Sequence, residues 1–169
     1  MLEIINNLAV FFEDCYRWVS VREYARIIKV SPPTASVMMK KYAKEGYLRM
    51  KEERRHIFFQ LINENSEVIE ISRIYWRKRL EEAGNALQKR VINAMVLFGS
   101  LSKAEATPGS DIDLAVFSPE KPTINLTVFQ KKLGRTIAVH WFPSLKAVKN
   151  EHLLNNIING AILAGKVKW

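Results

Sequence analysis

Apolar side chains at Leu2, Ile5, Leu8, Phe11, Phe12 and Tyr16 recur at the spacing of one helix face, which predicts a helix over residues 2–16. A second helical stretch follows at about 20–29. Ser20 with Glu23 three residues on has the pattern of a capping box, and Tyr24, Ile27 and Ile28 face inward. Ser31-Pro32-Pro33 predicts a third start, because serine caps helices and proline is tolerated in their first turn. That helix runs to Lys44-Glu45 and stops at Gly46. It keeps Ala35, Met38, Met39 and Tyr42 for a core and turns Thr34, Ser36, Val37, Lys40, Lys41 and Lys44 outward. Residues 47–51 and 55–61 alternate with period two, carrying Leu48 and Met50 on one segment and Ile57, Phe59 and Leu61 on the other. They predict a charged hairpin turning at Glu52-Glu53-Arg54.

From about residue 63 the texture turns polar and helical. Asn65 or Ser66 caps the stretch, Val68, Ile71, Ile74, Tyr75, Lys78 and Leu80 give it a mixed face, and Gly84 or Asn85 interrupts it. Beyond Val91, short apolar segments at Val96–Phe98, Asp111–Phe117 and Thr136–Phe142 read as strands, with helical stretches at about 123–133 and 144–163. The expected organisation is therefore 1–62, a helical linker at 63–90, and a second domain at 91–169. The expected fold class is α+β, with a mixed sheet in the second domain.

Composition narrows the field. A hydrophobic content of 48% over 169 residues supports a packed core and excludes a largely disordered chain. No apolar run reaches the roughly 18 residues of a membrane span, and the N-terminus lacks the signature of a secretory signal, so the expected setting is cytoplasmic, away from membranes. The single cysteine, Cys15, reads as a buried small hydrophobe, and three histidines leave little for a Cys/His zinc site. The net charge of +9 is spread over both halves. It fits a polyanion partner and equally a solvated basic surface.

Helix, helix, short turn, helix and charged hairpin is the order of a winged helix-turn-helix, and Val21 to Leu61 resembles the DNA-binding domains of small prokaryotic regulators. The resemblance implies duplex DNA as a partner. Thr34 and Ser36 would lie in the major groove, Lys40, Lys41 and Lys44 at phosphates, and Arg54 and Arg55 at the hairpin tip. The chain departs from the pattern in having no arginine between Ser31 and Glu45, Val37 standing where many such domains carry one. The alternative is the same fold used for protein contacts. A homodimer through the first helix would use Leu8, Phe11 and Phe12, which serve equally well as internal core.

The sharpest motif runs from Phe98 to Leu114. Gly99-Ser100 follows a strand, ten residues intervene, and Asp111-Ile112-Asp113 opens the next strand. Residues two apart on a strand share a face, so Asp111 and Asp113 are neighbours about 6–7 Å apart, and their mutual repulsion is relieved by a divalent cation. Glycine lets backbone approach a phosphate closely, and a helix starting at Ser100 would offer it N–H groups. This pairing resembles the minimal nucleotidyltransferases of the polymerase-beta-like superfamily. The resemblance implies a nucleoside triphosphate substrate, Mg2+ held by Asp111 and Asp113, and nucleotide contacts at Gly99, Ser100, Lys103 and Ser110. It also implies a third carboxylate on a later strand. Ala138 stands at that position, His140 is two residues on, and no Asp or Glu occurs between Pro122 and Asn150. His140 is thus the candidate third-position residue, as a base or as a packed core side chain. Three functions remain open on these residues: transfer of a nucleoside monophosphate to a hydroxyl acceptor, nucleotide sensing by a DNA-binding regulator without turnover, and a module that binds a partner protein.

Overall fold

The structure is a computed structural model and describes residues 2–88, 93–121 and 125–168. The expected starts at Val91 and at residue 123 lie outside them. Seven α-helices and two sheets occur among the described residues, one of the sheets mixed, so the α+β class holds. The chain divides into two compact units. One comprises Met1–Tyr75 with Ala104–Pro108, the other Trp76–Lys103 with Gly109–Trp169.

In the first unit, α1 (Leu2–Glu13) leads to β1 (Val19–Ser20), α2 (Val21–Ile28), α3 (Pro32–Lys44), β2 (Leu48–Glu53), β3 (His56–Leu61) and the start of α4 (Ser66–Arg79). The three strands form an antiparallel sheet in the order β1-β3-β2. The caps are those the residues call for. Ser20 Oγ accepts from Glu23 N at 3.2 Å and Ser31 Oγ from Thr34 N at 3.3 Å, while Asn65 Oδ1 accepts from Glu67 N at 2.8 Å. Gly46, at φ 81°, takes the left-handed turn that lets the chain leave α3. Leu8, Phe11 and Phe12 are fully buried within this unit, Phe11 stacked on Tyr24 and Phe12 against Tyr75. They are internal core of the unit. Cys15 is buried, and its N–H donates to Ala106 O at 2.8 Å.

Four local expectations are corrected here. Helix α1 ends at Glu13, so Tyr16 falls outside it and is half exposed. Ile27 is exposed because Tyr24 and Ala25 supply the buried face of α2. Met50, opposite the buried Phe59, is exposed although it alternates in phase with Leu48; it lies on β2, an edge strand of its sheet. The hairpin turns at Arg54-Arg55, one pair later than expected, and Glu52 and Glu53 are paired strand residues.

In the second unit, α5 (Glu81–Gln88) precedes β4 (Ala94–Phe98), β5 (Ile112–Phe117), α6 (Thr127–Leu133), β6 (Ile137–Phe142), α7 (Glu151–Ile158) and β7 (Ala161–Gly165). The helical break falls at Leu80, not at Gly84 or Asn85: Leu80 is buried and α5 continues through both. The predicted helix over 144–163 is instead a short 3-10 turn, α7 and then a strand. Asn150 caps α7 through Leu153 N at 2.9 Å, and Gly160 ends it. A Cβ at residue 160 would stand 2.5 Å from Leu97 O, so the glycine lets β7 dock directly against β4. The sheet order is β6-β5-β4-β7, with β5 and β6 parallel and the other pairs antiparallel. One face of it, with Ala94, Val96, Phe98, Ala115 and Phe117, packs under Leu145, Val148 and Ile157.

Arg54 and Arg55 both hold the left-handed conformation, φ 50° and 64°, that a two-residue hairpin requires. A residue with a side chain is disfavoured there by roughly 1–2 kcal/mol. Replacing the pair by Asn-Gly should therefore raise the denaturant midpoint of the first unit, by about 1–2 kcal/mol in stability. A lowered midpoint would show that the turn is wrongly described.

Candidate functional site

The core face of the second sheet is apolar until its end, where two polar side chains take over. Phe98 on β4 pairs with Asp113 on β5, and Asp113 pairs with Ala138 on β6. Cross-strand partners share a face, so Phe98, Asp113, Ala138 and, one step along, His140 lie side by side. His140 Nε2 stands 3.7 Å from Asp113 Oδ1, and the His140 ring meets Phe98 edge-on with centroids 5.2 Å apart. His140 is therefore at the site and partly exposed, not packed in a core. Ala138, directly beside Asp113 on β6, carries no carboxylate.

Gly99 follows Phe98 at φ 73°, a conformation favouring glycine, and space demands it as well. A Cβ there would lie 2.5 Å from Asp113 Oδ2. Bare backbone and carboxylate thus meet at one point. Residues Ser100–Lys103 form a 3-10 turn, closed by Ser102 N and Ser102 Oγ on Gly99 O at 3.2 and 2.9 Å. Lys103 is held by Asn156 Oδ1 of α7 at 2.8 Å.

Burial pushes the Asp113 carboxyl above the usual carboxylate range. The neighbouring His140 works against that rise and the charge of Asp111 adds to it. Asp111 itself is exposed and precedes β5. Among the described residues no group of three His, Cys, Asp or Glu side chains is placed to hold a metal ion. Asp111 and Asp113 with substrate phosphates nonetheless suit Mg2+, which typically keeps one or two protein carboxylates. The donor set fits a cation that arrives with a nucleotide, not an all-protein cage.

Sequence reasoning missed Arg135. It is 8% exposed, donates from Nη1 to Ser110 O at 2.8 Å, and lies over the Trp76 ring at 5.2 Å. It thereby pins the backbone immediately before Asp111. A cation opening an otherwise apolar strand was the available signal. Asn156 left none, since its role arises only when α7 reaches Lys103.

The other candidate residues lie in the first unit. Thr34, Lys40, Lys41, Lys44, Arg54 and Arg55 are exposed and Ser36 is half-buried. The Thr34 hydroxyl is engaged with Ser31 Oγ at 2.7 Å, and Lys41 stands 3.9 Å from Glu45. An open cleft of about 470 Å³ is lined in part by Arg22, Ser36, Arg55, His56 and Phe58.

Two outcomes follow from the crowding at Asp113. Gly99→Ala should destabilise by at least about 1 kcal/mol, and by measurably less in an Asp113→Ala background, because one part of the cost is the clash with that carboxylate. Equal costs in both backgrounds would refute the contact. The folded state raises the Asp113 pKa, so the ionised carboxylate disfavours the fold at neutral pH, and this cost disappears below the unfolded value of about 3.9. Asp113→Asn should thus be at least as stable as the parent near pH 7, with its advantage shrinking as pH falls toward 4, read by thermal melts across pH.

A model of the family described as "Polymerase beta, Nucleotidyltransferase" matches residues 81–166, a span from the start of α5 to just beyond β7. No curated protein matches the chain. No solved structure matches it either. The matched span covers just over half of the sequence and contains the Gly99 turn, the Asp111-x-Asp113 pair and the whole second sheet, so the chain belongs to the polymerase beta nucleotidyltransferase family.

Proposed function

We propose that the second unit binds a nucleoside triphosphate with Mg2+ and transfers the nucleoside monophosphate to a hydroxyl acceptor. The observation that carries this reading is the contact point of Gly99 and Asp113, where a side chain on residue 99 would occupy the space beside the carboxylate. Backbone at Gly99 and Ser100 would receive the phosphates, with Ser110 at the far end of the spacer. Lys103, fixed by Asn156, would present its remaining N–H groups to the same charge. Asp111 and Asp113 would hold the cation, and Arg135 would keep Asp111 in place through Ser110 O. The cation, when bound, would neutralise charge on the phosphates and on the departing pyrophosphate.

In the first unit we assign the winged helix-turn-helix role to α2, α3 and the β2–β3 hairpin, with duplex DNA as partner. Support comes from the exposed lysines of α3, from the cleft lined by Ser36 and Arg55, and from the two arginines kept in a strained turn. Strain retained by charged residues at a tip is a common mark of function. A cytoplasmic setting accords with both roles; no helix among the described residues is long and apolar enough to cross a membrane.

One observation favours a second reading. Ala138 lies where a third carboxylate would stand beside Asp113, which fits a DNA-binding regulator that senses nucleotide without turnover, or a module acting through a partner protein.

Incubation of the full chain with α-labelled nucleoside triphosphates and divalent cation should yield labelled product and pyrophosphate, and Asp113→Asn should abolish it. Binding without product would select the sensor. For DNA, Arg54→Ala with Arg55→Ala should reduce the slope of log affinity against log salt by about 2, as two lost phosphate contacts require. An unchanged slope would remove the tip from the interface.

A further inference from the structure

This inference rests on the reading of α2, α3 and the β2–β3 hairpin as a winged helix that binds duplex DNA, and it concerns what the helix reads there. After the opening prolines, the exposed residues of α3 are Thr34, Val37, Lys40, Lys41 and Lys44, spaced three or four apart along one stripe. The stripe is divided by chemistry. Its C-terminal half carries three ammonium groups, and no acidic residue occurs between Pro32 and Lys44. Its N-terminal half carries no charge. The Thr34 hydroxyl is engaged with Ser31 Oγ at 2.7 Å, and Val37, 70% exposed, has only methyl groups to offer. Ser36 lies off the stripe, half-buried at the cleft lined also by Arg22, Arg55 and His56. The surroundings of Val37 are thus basic and complementary to a polyanion, with an apolar side chain between the helix cap and the lysines.

We infer that Val37 reads thymine: it packs on the C5-methyl group of an A·T pair in the major groove while the lysines meet phosphates. A recognition helix contacts base edges with its N-terminal residues. There guanine is matched by arginine or lysine, and adenine by asparagine or glutamine. None of these stands before Lys40 in α3. Thymine alone among the bases carries a methyl group into that groove, and apolar contact recognises it. The preference then comes from burying methyl against methyl, about fourfold in affinity for each methyl group lost.

The test uses the full chain to select duplexes from a random-sequence pool. The tightest binder is then resynthesised with deoxyuridine in place of thymidine, one position at a time. Uracil keeps the hydrogen-bonding groups of thymine and lacks only the C5-methyl. At one or more positions the substitution should weaken binding about fourfold, and in Val37→Ala that factor should fall below about two. Alanine is the better helix former, so this exposed change leaves α3 intact. A cytosine placed at the same position should regain affinity when 5-methylated, with the parent and not with the variant. Salt-sensitive binding to sites without thymine, no effect of deoxyuridine at any position, or an effect that survives Val37→Ala unchanged would overturn the thymine assignment and leave the DNA reading standing. Retention of no duplex at low salt would overturn both.

Discussion

The carboxylate of Asp113, with His140 beside it, closes a sheet face that is otherwise apolar, and the chain makes room for it by omitting a side chain at residue 99. Every neighbouring feature follows from that crowding. The antiparallel β4–β5 pair sets Phe98 opposite Asp113, so the first residue after β4 must pass the carboxylate at close range. Only a glycine at positive φ passes without a clash, and the turn it starts leads into the 3-10 segment fixed by Ser102 and Lys103. A carboxylate held there against desolvation is a liability for folding. Such sites persist where a bound cation or ligand compensates for them.

The surroundings divide the work of positioning. Arg135 holds the spacer's end, Asn156 holds Lys103, and Phe98 holds the ring of His140. Each fixes a group beside Asp113. In the first unit the corresponding tension is at the hairpin tip, where arginines occupy a turn that favours Asn-Gly. The two units thus each retain a locally unfavourable choice at the place assigned to a phosphate-bearing ligand.

Much of this was legible along the chain. Caps at Ser20 and Ser31, the stop at Gly46 and the Gly-Ser to Asp-x-Asp spacing are local signals, and local signals survive folding. The misreadings share one cause, which is that tertiary pairing decides between faces that sequence leaves equal. Residues 161–165 look like the tail of an amphipathic helix, but Gly160 ends the helix and β4 offers an edge, so they become β7. Met50 keeps the right phase yet is exposed on the edge strand β2. His140 could not be placed by periodicity alone, because its neighbours on an apolar strand suggested burial, whereas β6 is the edge strand of its sheet and leaves it half open. Trp76, fully buried, was passed over in a stretch read as polar and connecting.

The central claim is that Asp113 and the bare backbone of Gly99 form a receptor for a cation-bearing triphosphate. Isothermal titration of the full chain with each nucleoside triphosphate, in the presence of divalent cation, tests it most directly. The account predicts saturable uptake of at least one of them at a single site and its loss in Asp113→Asn, with the variant still folded. Undiminished uptake by that variant, or no uptake of any triphosphate by the parent, would contradict it.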